Sequence, residues 1–289
     1  MSDPVEHLLA LLELERLDEN LFRGTGAGGE TKHRIFGGQV VGQALVAAGN
    51  TVADDRPAHS LHAYFMRPGD PSQPIIYEVD RARDGGSFTT RRVVAIQAGR
   101  QILNLSTSFH VQEPGFEHAH TAPQVPRPES LAGREALKAA LAEQSAPQRR
   151  ADILRPSAIE VRPVDPVDYT APAPASDRHA AWFRLARDPG PVAAQLDQAA
   201  LTYASDMMLL WSALRPHGES GYSGRVMTAS LDHAVWFHAA TQFANWHLYV
   251  MESPWAGGAR ALTRGQIFDA AGTLVASVAQ EGLVRPITR

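Results

Sequence analysis

Residues 195–211 read QLDQAALTYASDMMLLW. The apolar residues recur at steps of three and four, and neither Pro nor Gly interrupts them, which predicts a helix with a buried stripe. Asp206 is the single acid in the second half of this segment and lies beside the stripe. A carboxylate at such a place is costly unless it is paired, hydrogen-bonded or used in chemistry. The segment therefore predicts a central helix, and Asp206 is either a structural acid with an ordinary partner or a functional one.

The same order of elements occurs in both halves of the chain. In the first half, a predicted helix over 34–53 precedes predicted strands over 61–67, 74–82, 87–98 and 100–111. In the second half, a strand over 180–187 precedes the central helix, and strands follow over 227–238, 246–253, 259–269 and 274–283. A double glycine follows a tyrosine at equal distance in each half, at 85–86 and 257–258. The pattern predicts an internal duplication with an α+β fold, in which two antiparallel sheets lie edge to edge and each wraps around its own helix.

This duplication predicts three regions along the chain. They are an N-terminal unit over 1–114, a connecting segment over 115–177 and a C-terminal unit over 178–289. Pro and Ala dominate the connecting segment, apart from a charged helical patch at 129–142, so we interpret it as a partly ordered linker. At the N-terminus, residues 4–16 predict an amphipathic helix and residues 18–23 a short strand.

Composition excludes several classes of protein. The chain has 289 residues, a formal net charge of −4 and no cysteine. Disulfides, thiolate metal sites and cysteine nucleophiles are therefore excluded. No basic excess favours nucleic acid or an anionic membrane as a partner, and no apolar run is long enough to cross a bilayer. The N-terminus lacks the pattern of a signal peptide, so the cytoplasm is the expected location.

Two patterns that resemble cofactor or metal sites are weak. Residues 24–29, GTGAGG, match the dinucleotide fingerprint G-x-G-x-x-G, but no strand–helix–strand unit surrounds them. Residues 117–120, EHAH, offer possible metal ligands, but no convincing further ligand lies nearby. We therefore expect a flexible loop at the first pattern, and neither a cofactor nor a metal.

Short motifs occur in a fixed order across both halves. In the first half they are FGGQ at 36–39, LHAYFMRPGD at 61–70 and RARDG at 81–85. In the second half they are SD at 205–206, LDHAVWFH at 231–238 and AQEGLVR at 279–285. Together they resemble the acyl-CoA thioesterase II family over nearly the whole chain apart from the connecting segment. The resemblance implies a double-hotdog fold that hydrolyses fatty acyl-CoA to free fatty acid and CoA.

The resemblance also implies the catalytic residues. The family uses an Asp, a Thr or Ser, and a Gln to hold a water molecule, and these positions correspond to Asp206, Ser230 and Gln280. Many members have Thr where this chain has Ser230, which keeps the hydroxyl but lacks the methyl group that restricts the rotamer. All three residues lie in the second half, and the first helix has no obvious acid at the equivalent place. We therefore expect one catalytic centre per chain, and a homo-oligomer, dimer or higher, because hotdog sheets commonly assemble further.

The residues themselves favour direct attack by water. The chain has no cysteine and no G-x-S-x-G motif, so a covalent acyl-enzyme has no clear nucleophile. Asp206 is then the general base or the acceptor that orients the water, and a backbone N–H of residues 37–39 is the expected oxyanion donor. Candidates for binding the CoA phosphates are Arg81, Arg83, Arg260 and Arg264, and candidates for lining an acyl slot are Met207, Met208, Leu209 and Trp236. The four arginines could equally be ordinary surface residues, and the four apolar residues could equally be part of the core.

Two other functions stay open. A hotdog hydratase or dehydratase would need an Asp and a His across the substrate, but Asp232 and His233 are adjacent and face opposite sides of a strand. His238 is expected to be a packed, hydrogen-bonded histidine. A non-catalytic acyl-CoA-binding sensor is the other alternative, and the intact set Asp206, Ser230 and Gln280 argues against it.

Overall fold

The computed structural model describes residues 3–26, 34–143, 150–151, 153–166, 168 and 171–287. The α-helices are α1 (Pro4–Leu12), α2 (Gly37–Gly49), α3 (Arg134–Glu143) and α4 (Ala194–Ser205). Short 3-10 helices span Pro128–Ser130, Leu209–Ala213 and Arg215–His217. The strands before the connecting segment are β1 (Glu15–Asp18), β2 (Leu21–Gly24), β3 (Ala58–Phe65), β4 (Ile75–Asp84), β5 (Phe88–Gln97) and β6 (Arg100–His110). The later strands are β7 (Ile159–Pro163), β8 (His179–Leu185), β9 (Val226–Ser230), β10 (Asp232–Phe237), β11 (His247–Gly257), β12 (Arg260–Asp269) and β13 (Leu274–Pro286).

These strands form one antiparallel sheet across both halves. Its order is β1-β2-β4-β5-β6-β3-β10-β13-β12-β11-β8-β7, and β9 pairs with the end of β13. The two halves join where β3 pairs with β10, with Leu61 opposite Val235 and Ala63 opposite His233. The predicted α+β double hotdog, with its two sheets side by side, is confirmed.

The two long helices lie next to each other inside the curved sheet. Almost every residue of α2 and α4 is buried, because each helix has the sheet on one side and its partner helix on the other. Gly38 allows their close approach, since a Cβ atom at this position would lie 2.4 Å from the carbonyl oxygen of Tyr203. The first turn of α2 therefore packs directly against the last turn of α4.

The central helix is shorter than the sequence predicts. The α-helix ends at Ser205, and the chain continues into the 3-10 helix Leu209–Ala213. The carbonyl oxygen of Ser205 accepts a hydrogen bond of 3.0 Å from the hydroxyl of Tyr249 on β11. In a continuing α-helix this oxygen would accept from the N–H of residue 209. A tertiary contact thus ends the helix one residue before Asp206.

The strand predicted over 227–238 is two strands with a bulge between them. Ser230 lies opposite Gly282 and Ala234 opposite Ala279, so the register with β13 shifts by one residue. At the shift, the N–H of Leu231 donates to the carbonyl of Glu281, and Asp232 Oδ1 accepts from the N–H of Glu281. A bulge turns the side chains that precede it relative to those that follow, and here it orients Ser230.

The connecting segment holds more regular structure than a linker. Helix α3 overlaps the predicted helical patch, and β7 extends the sheet by pairing with β8, with Val161 opposite Phe183. The short strand predicted at 18–23 is the hairpin β1–β2, whose second strand pairs with β4. In the described part of the chain, no helix is both long and apolar enough to cross a bilayer.

Candidate active site

Asp206 is the C-cap residue of α4 and lies on the wall of a cleft between the two halves. Ser230 Oγ donates to Asp206 Oδ1 at 3.0 Å, and Gln280 Nε2 donates to the same oxygen at 2.5 Å. Asp206 is only 8% exposed and Gln280 is fully buried. The fold therefore brings together the three residues that the resemblance selects, from a helix end, the end of β9 and the middle of β13.

The other carboxylate oxygen of Asp206 faces the first half of the chain. A Cβ atom on Gly37 would lie 2.7 Å from Asp206 Oδ2, so only glycine fits at the N-terminus of α2. The positive end of a helix dipole and the N–H groups of its first turn stabilise negative charge. Both the acid and the expected oxyanion donors of residues 37–39 thus lie at one place, although they come from different halves.

Ser205, His233 and Tyr249 form a hydrogen-bonded group directly behind Asp206. Ser205 Oγ donates to the carbonyl of Thr202 at 2.8 Å, so it accepts at 2.8 Å from Nε2–H of the fully buried His233. Burial lowers the pKa of His233, against the opposite effect of Asp206 and Asp232, so the ring is neutral. The sequence did not single out this group, because its members are distant along the chain.

We expect His233→Ala to lower kcat with little change in KM. The loss of the Nε2–H bond releases Ser205 and with it the adjacent Asp206, and the buried vacancy costs about 1–3 kcal/mol of folding free energy. His233→Gln keeps a donor for Ser205 Oγ and should restore part of kcat. The measurement is thiol release at several substrate concentrations beside thermal unfolding.

The matched control is His238→Ala. His238 forms a hydrogen bond of 2.9 Å with Ser277 Oγ, as predicted, but it is exposed rather than packed, and it lies away from Asp206. An unchanged kcat in His233→Ala, together with a lowered unfolding midpoint, would show that His233 serves the fold alone.

The cleft has a volume of about 290 Å³ and mixes charged and apolar walls. Two arginines line it, Arg34 and Arg67, whose guanidinium groups donate to the carbonyls of Thr228 and Gln101. Its apolar walls include Phe36, Phe65, Ile102, Met207, Leu210 and Trp211. The cleft can therefore hold a ligand with an anionic part and an apolar part beside the carboxylate.

The arginines that the sequence singled out lie elsewhere. Arg81 pairs with Glu19 at 3.1 Å, Arg260 with Glu281 at 2.9 Å and Arg264 with Glu252 at 2.6 Å, and Arg83 also lies off the cleft. The sequence reasoning missed Arg34 and Arg67. A usable signal was their position, because Arg34 lies two residues before the motif FGGQ and Arg67 lies within the motif LHAYFMRPGD.

The four residues predicted to line an acyl slot lie in different parts of the structure. Met207 lines the cleft, Met208 faces a second cavity, and Leu209 is buried in the core. Trp236 packs edge-on against His62 at 5.0 Å between ring centres, on the joined strands β10 and β3. Because Trp236 is only partly buried and His62 is exposed, Trp236 lies neither in the cleft nor in the core.

No described residue of the two weak patterns lines the cleft. The third glycine of GTGAGG lies outside the described residues. His120 Nδ1 forms a hydrogen bond of 2.9 Å with Gln266 Nε2. Among the residues that the structure describes, no group of three His, Cys, Asp or Glu side chains could hold a metal ion.

Comparisons with known proteins agree with this fold. Residues 28–110 match the model of the acyl-CoA thioesterase N-terminal domain, and residues 169–283 match that of acyl-CoA thioesterase. The chain is 40% identical to acyl-coenzyme A thioesterase 8 of Mus musculus, over 96% of this chain and 88% of that protein. It is 37% identical to acyl-CoA thioesterase 2 of Haemophilus influenzae, over 99% of both chains. The crystal structure of an acyl-CoA thioesterase II, TesB2, from Mycobacterium marinum superimposes with a TM-score of 0.79 at 41% identity, over 97% of this chain and 99% of that one.

The double-hotdog fold and the two thioesterase family models together define an enzyme of the thioester hydrolase class. The chain belongs to the acyl-CoA thioesterase II family, as the comparisons and the motifs agree.

Proposed function

We propose that this enzyme hydrolyses fatty acyl-CoA with a water molecule held by Asp206, Ser230 and Gln280. The observation that carries the proposal is the convergence of Ser230 and Gln280 on one oxygen of Asp206, at the wall of a cleft with two arginines. Both donors fix the carboxylate, so the rotamer of Asp206 is set before substrate binds. Such positioning lowers the barrier because the reacting groups are already in place.

The chemistry follows from the hydrogen-bonding positions that these side chains leave unused. Gln280 Oε1 is buried without a hydrogen-bond partner among the described residues, so it can accept one O–H of the water. Asp206 takes the other proton as the water oxygen forms a C–O bond with the thioester carbonyl. The C–S bond then breaks, and the proton on Asp206 passes to the leaving thiolate. The products are a fatty acid and CoA, and the carboxylate is regenerated.

The charge that develops on the carbonyl oxygen needs donors. The N-terminus of α2 lies beside Asp206. The N–H of Gln39 already donates to the carbonyl of Phe36 at 3.1 Å, so the N–H groups of Gly37 and Gly38 are the candidate donors. Donors aimed at developing charge in a site that excludes water are a large contribution to catalysis. In this mechanism the first half of the chain stabilises the intermediate, and the second half activates the water.

Release of free thiol from a series of acyl-CoAs tests the function. Hydrolysis gives one thiol per fatty acid. A hydratase or dehydratase would change an enoyl- or hydroxyacyl-CoA without releasing thiol, and a sensor would bind acyl-CoA tightly without turnover. In a hydratase, His233 would need to face the substrate. It instead forms a hydrogen bond with Ser205 inside the core.

Arg34 and Arg67 are proposed to bind the phosphates of CoA. We expect Arg67→Ala to raise KM for acyl-CoA about tenfold, because a charge-assisted hydrogen bond is lost. The same variant should leave hydrolysis of an acyl-N-acetylcysteamine thioester unchanged, since that substrate has no phosphate. Arg264→Ala, whose arginine pairs with Glu252 off the cleft, is the matched control. Equal effects on both substrates would place Arg67 outside phosphate binding.

Assembly and location are further parts of the proposal. The outward face of the sheet carries exposed apolar side chains, among them Tyr64 on β3 at 61% and Leu262 on β12 at 37%. Apolar groups on a sheet face favour association, so we propose a homo-oligomer, dimer or higher. The proposed location is the cytoplasm, as the sequence predicts. Light scattering coupled to size exclusion measures the first, and cell fractionation the second.

A further inference from the structure

A second cavity lies behind the 3-10 helix that follows Asp206. Met207 and Leu210 of this segment line the catalytic cleft, whereas Met208 and Leu214 line the second cavity. Its volume is about 50 Å³. Because one water-sized sphere needs about 10–15 Å³ on this measure, the cavity has room for a few methyl-sized groups.

Half of the residues that line the cavity are apolar, and the rest include the charged Asp165, Arg215 and Glu219. Val161 and Pro163 come from β7, in the connecting segment, and Ala181 comes from β8. His179, also on the wall, hydrogen-bonds Ser212 Oγ at 2.9 Å. Burial above all lowers the pKa of His179 to about 3, with Arg215 acting in the same direction, so the ring is neutral. The inner wall thus suits an alkyl group.

Trp211 is the common wall of the two spaces, because its side chain lines both the cleft and the cavity. It follows Asp206 by five residues and lies in the 3-10 helix Leu209–Ala213. An acyl chain that extends from a thioester at Asp206 along Met207 and Leu210 therefore meets the indole.

We propose that the cavity receives the distal methylenes of a long acyl chain, with the side chain of Trp211 turning aside to admit them. The inference rests on the proposed function, which supplies the thioester at Asp206. It makes Trp211 and the cavity the determinants of acyl length. Short chains end before the indole and use the cleft alone, whereas longer chains need the space behind it.

The test is the chain-length profile of kcat/KM, from acetyl-CoA to stearoyl-CoA, for three variants. Ala181→Leu fills the cavity from the wall opposite the cleft, so kcat/KM for long chains should fall about tenfold relative to short chains. Trp211→Ala removes the barrier and should shift the optimum to longer chains. The double variant should cancel the shift, because both changes act on one space. Ala180→Leu is the matched control, since Ala180 faces the opposite side of β8 and packs with Trp182 and Leu248.

The outcomes distinguish a failure of this inference from a failure of the proposed function. Absence of thiol release from every acyl-CoA by the unmodified enzyme would overturn the proposed function. Normal hydrolysis with the same chain-length profile in Ala181→Leu as in Ala180→Leu would overturn the cavity assignment alone. Should Trp211→Ala fail to fold, Ala181→Leu still decides, because its expected effect does not depend on that variant.

Discussion

Asp206→Asn should lower kcat for acyl-CoA hydrolysis by about a thousandfold, the order that positioned proton transfer contributes. The amide can still accept hydrogen bonds from Ser230 and Gln280 through its oxygen, so its position is kept while its ability to take a proton from water is lost. We therefore expect KM and the thermal unfolding midpoint to change little. The measurement is steady-state thiol release, with the unfolding midpoint recorded on the same preparation.

Asp197→Asn is the matched control for Asp206→Asn. Asp197 is also a buried acid of α4, but it accepts hydrogen bonds from Thr241 and from the N–H of Phe243, at the opposite end of the helix. The control should reduce stability and leave kcat of the folded enzyme unchanged. If the two variants lose kcat equally, Asp206 has no special part in the chemistry.

Gly38→Ala should destabilise the protein by about 1–3 kcal/mol and reduce kcat together with stability. The added Cβ would lie 2.4 Å from the carbonyl oxygen of Tyr203, a backbone atom that moves only if α2 and α4 separate. Separation displaces the last turn of α4, which carries Asp206. Denaturant unfolding gives the free energy, and thiol release at saturating substrate gives kcat.

Gly86→Ala is the control for this backbone contact. No atom lies within 4 Å of a Cβ built on Gly86, so its replacement should be neutral. Equal unfolding midpoints for the two variants would mean that the helices tolerate a methyl group between them. The close approach seen at Gly38 would then have no energetic importance.

Most strands were predictable because half-buried strands alternate apolar and polar residues, and the turns between them carry Gly. Asp206, Ser230 and Gln280 could be predicted as a group only through the resemblance, since a lone Ser or Gln on a strand carries no chemical signal. The sequence does not predict where α4 ends, because the carbonyl of Ser205 accepts a hydrogen bond from the hydroxyl of Tyr249, which is distant in sequence. Strand β7 was missed because five residues among prolines give too short an alternation, and its pairing with β8 decides the conformation.

The arginines of the cleft show a different limit. Any exposed Arg is a solvated surface residue by default, and the four that were singled out do not line the cleft. Arg34 and Arg67 become significant only when the chain has folded, because both then line the same cleft. Sequence position gives a residue type and its neighbours along the chain, but not which of many charges share one cavity.

The joining of β3 to β10 has a consequence for synthesis on the ribosome. The N-terminal half emerges first, and its strand β3 has no partner on one side until β10, which follows the connecting segment, β8 and α4, has been translated. During that interval the open edge and the apolar face of α2 can pair with the same surfaces of another nascent chain. On one polysome, a neighbouring nascent chain is therefore the nearest alternative partner for the open edge of β3. A pause in translation before residue 237 should increase the demand for chaperones.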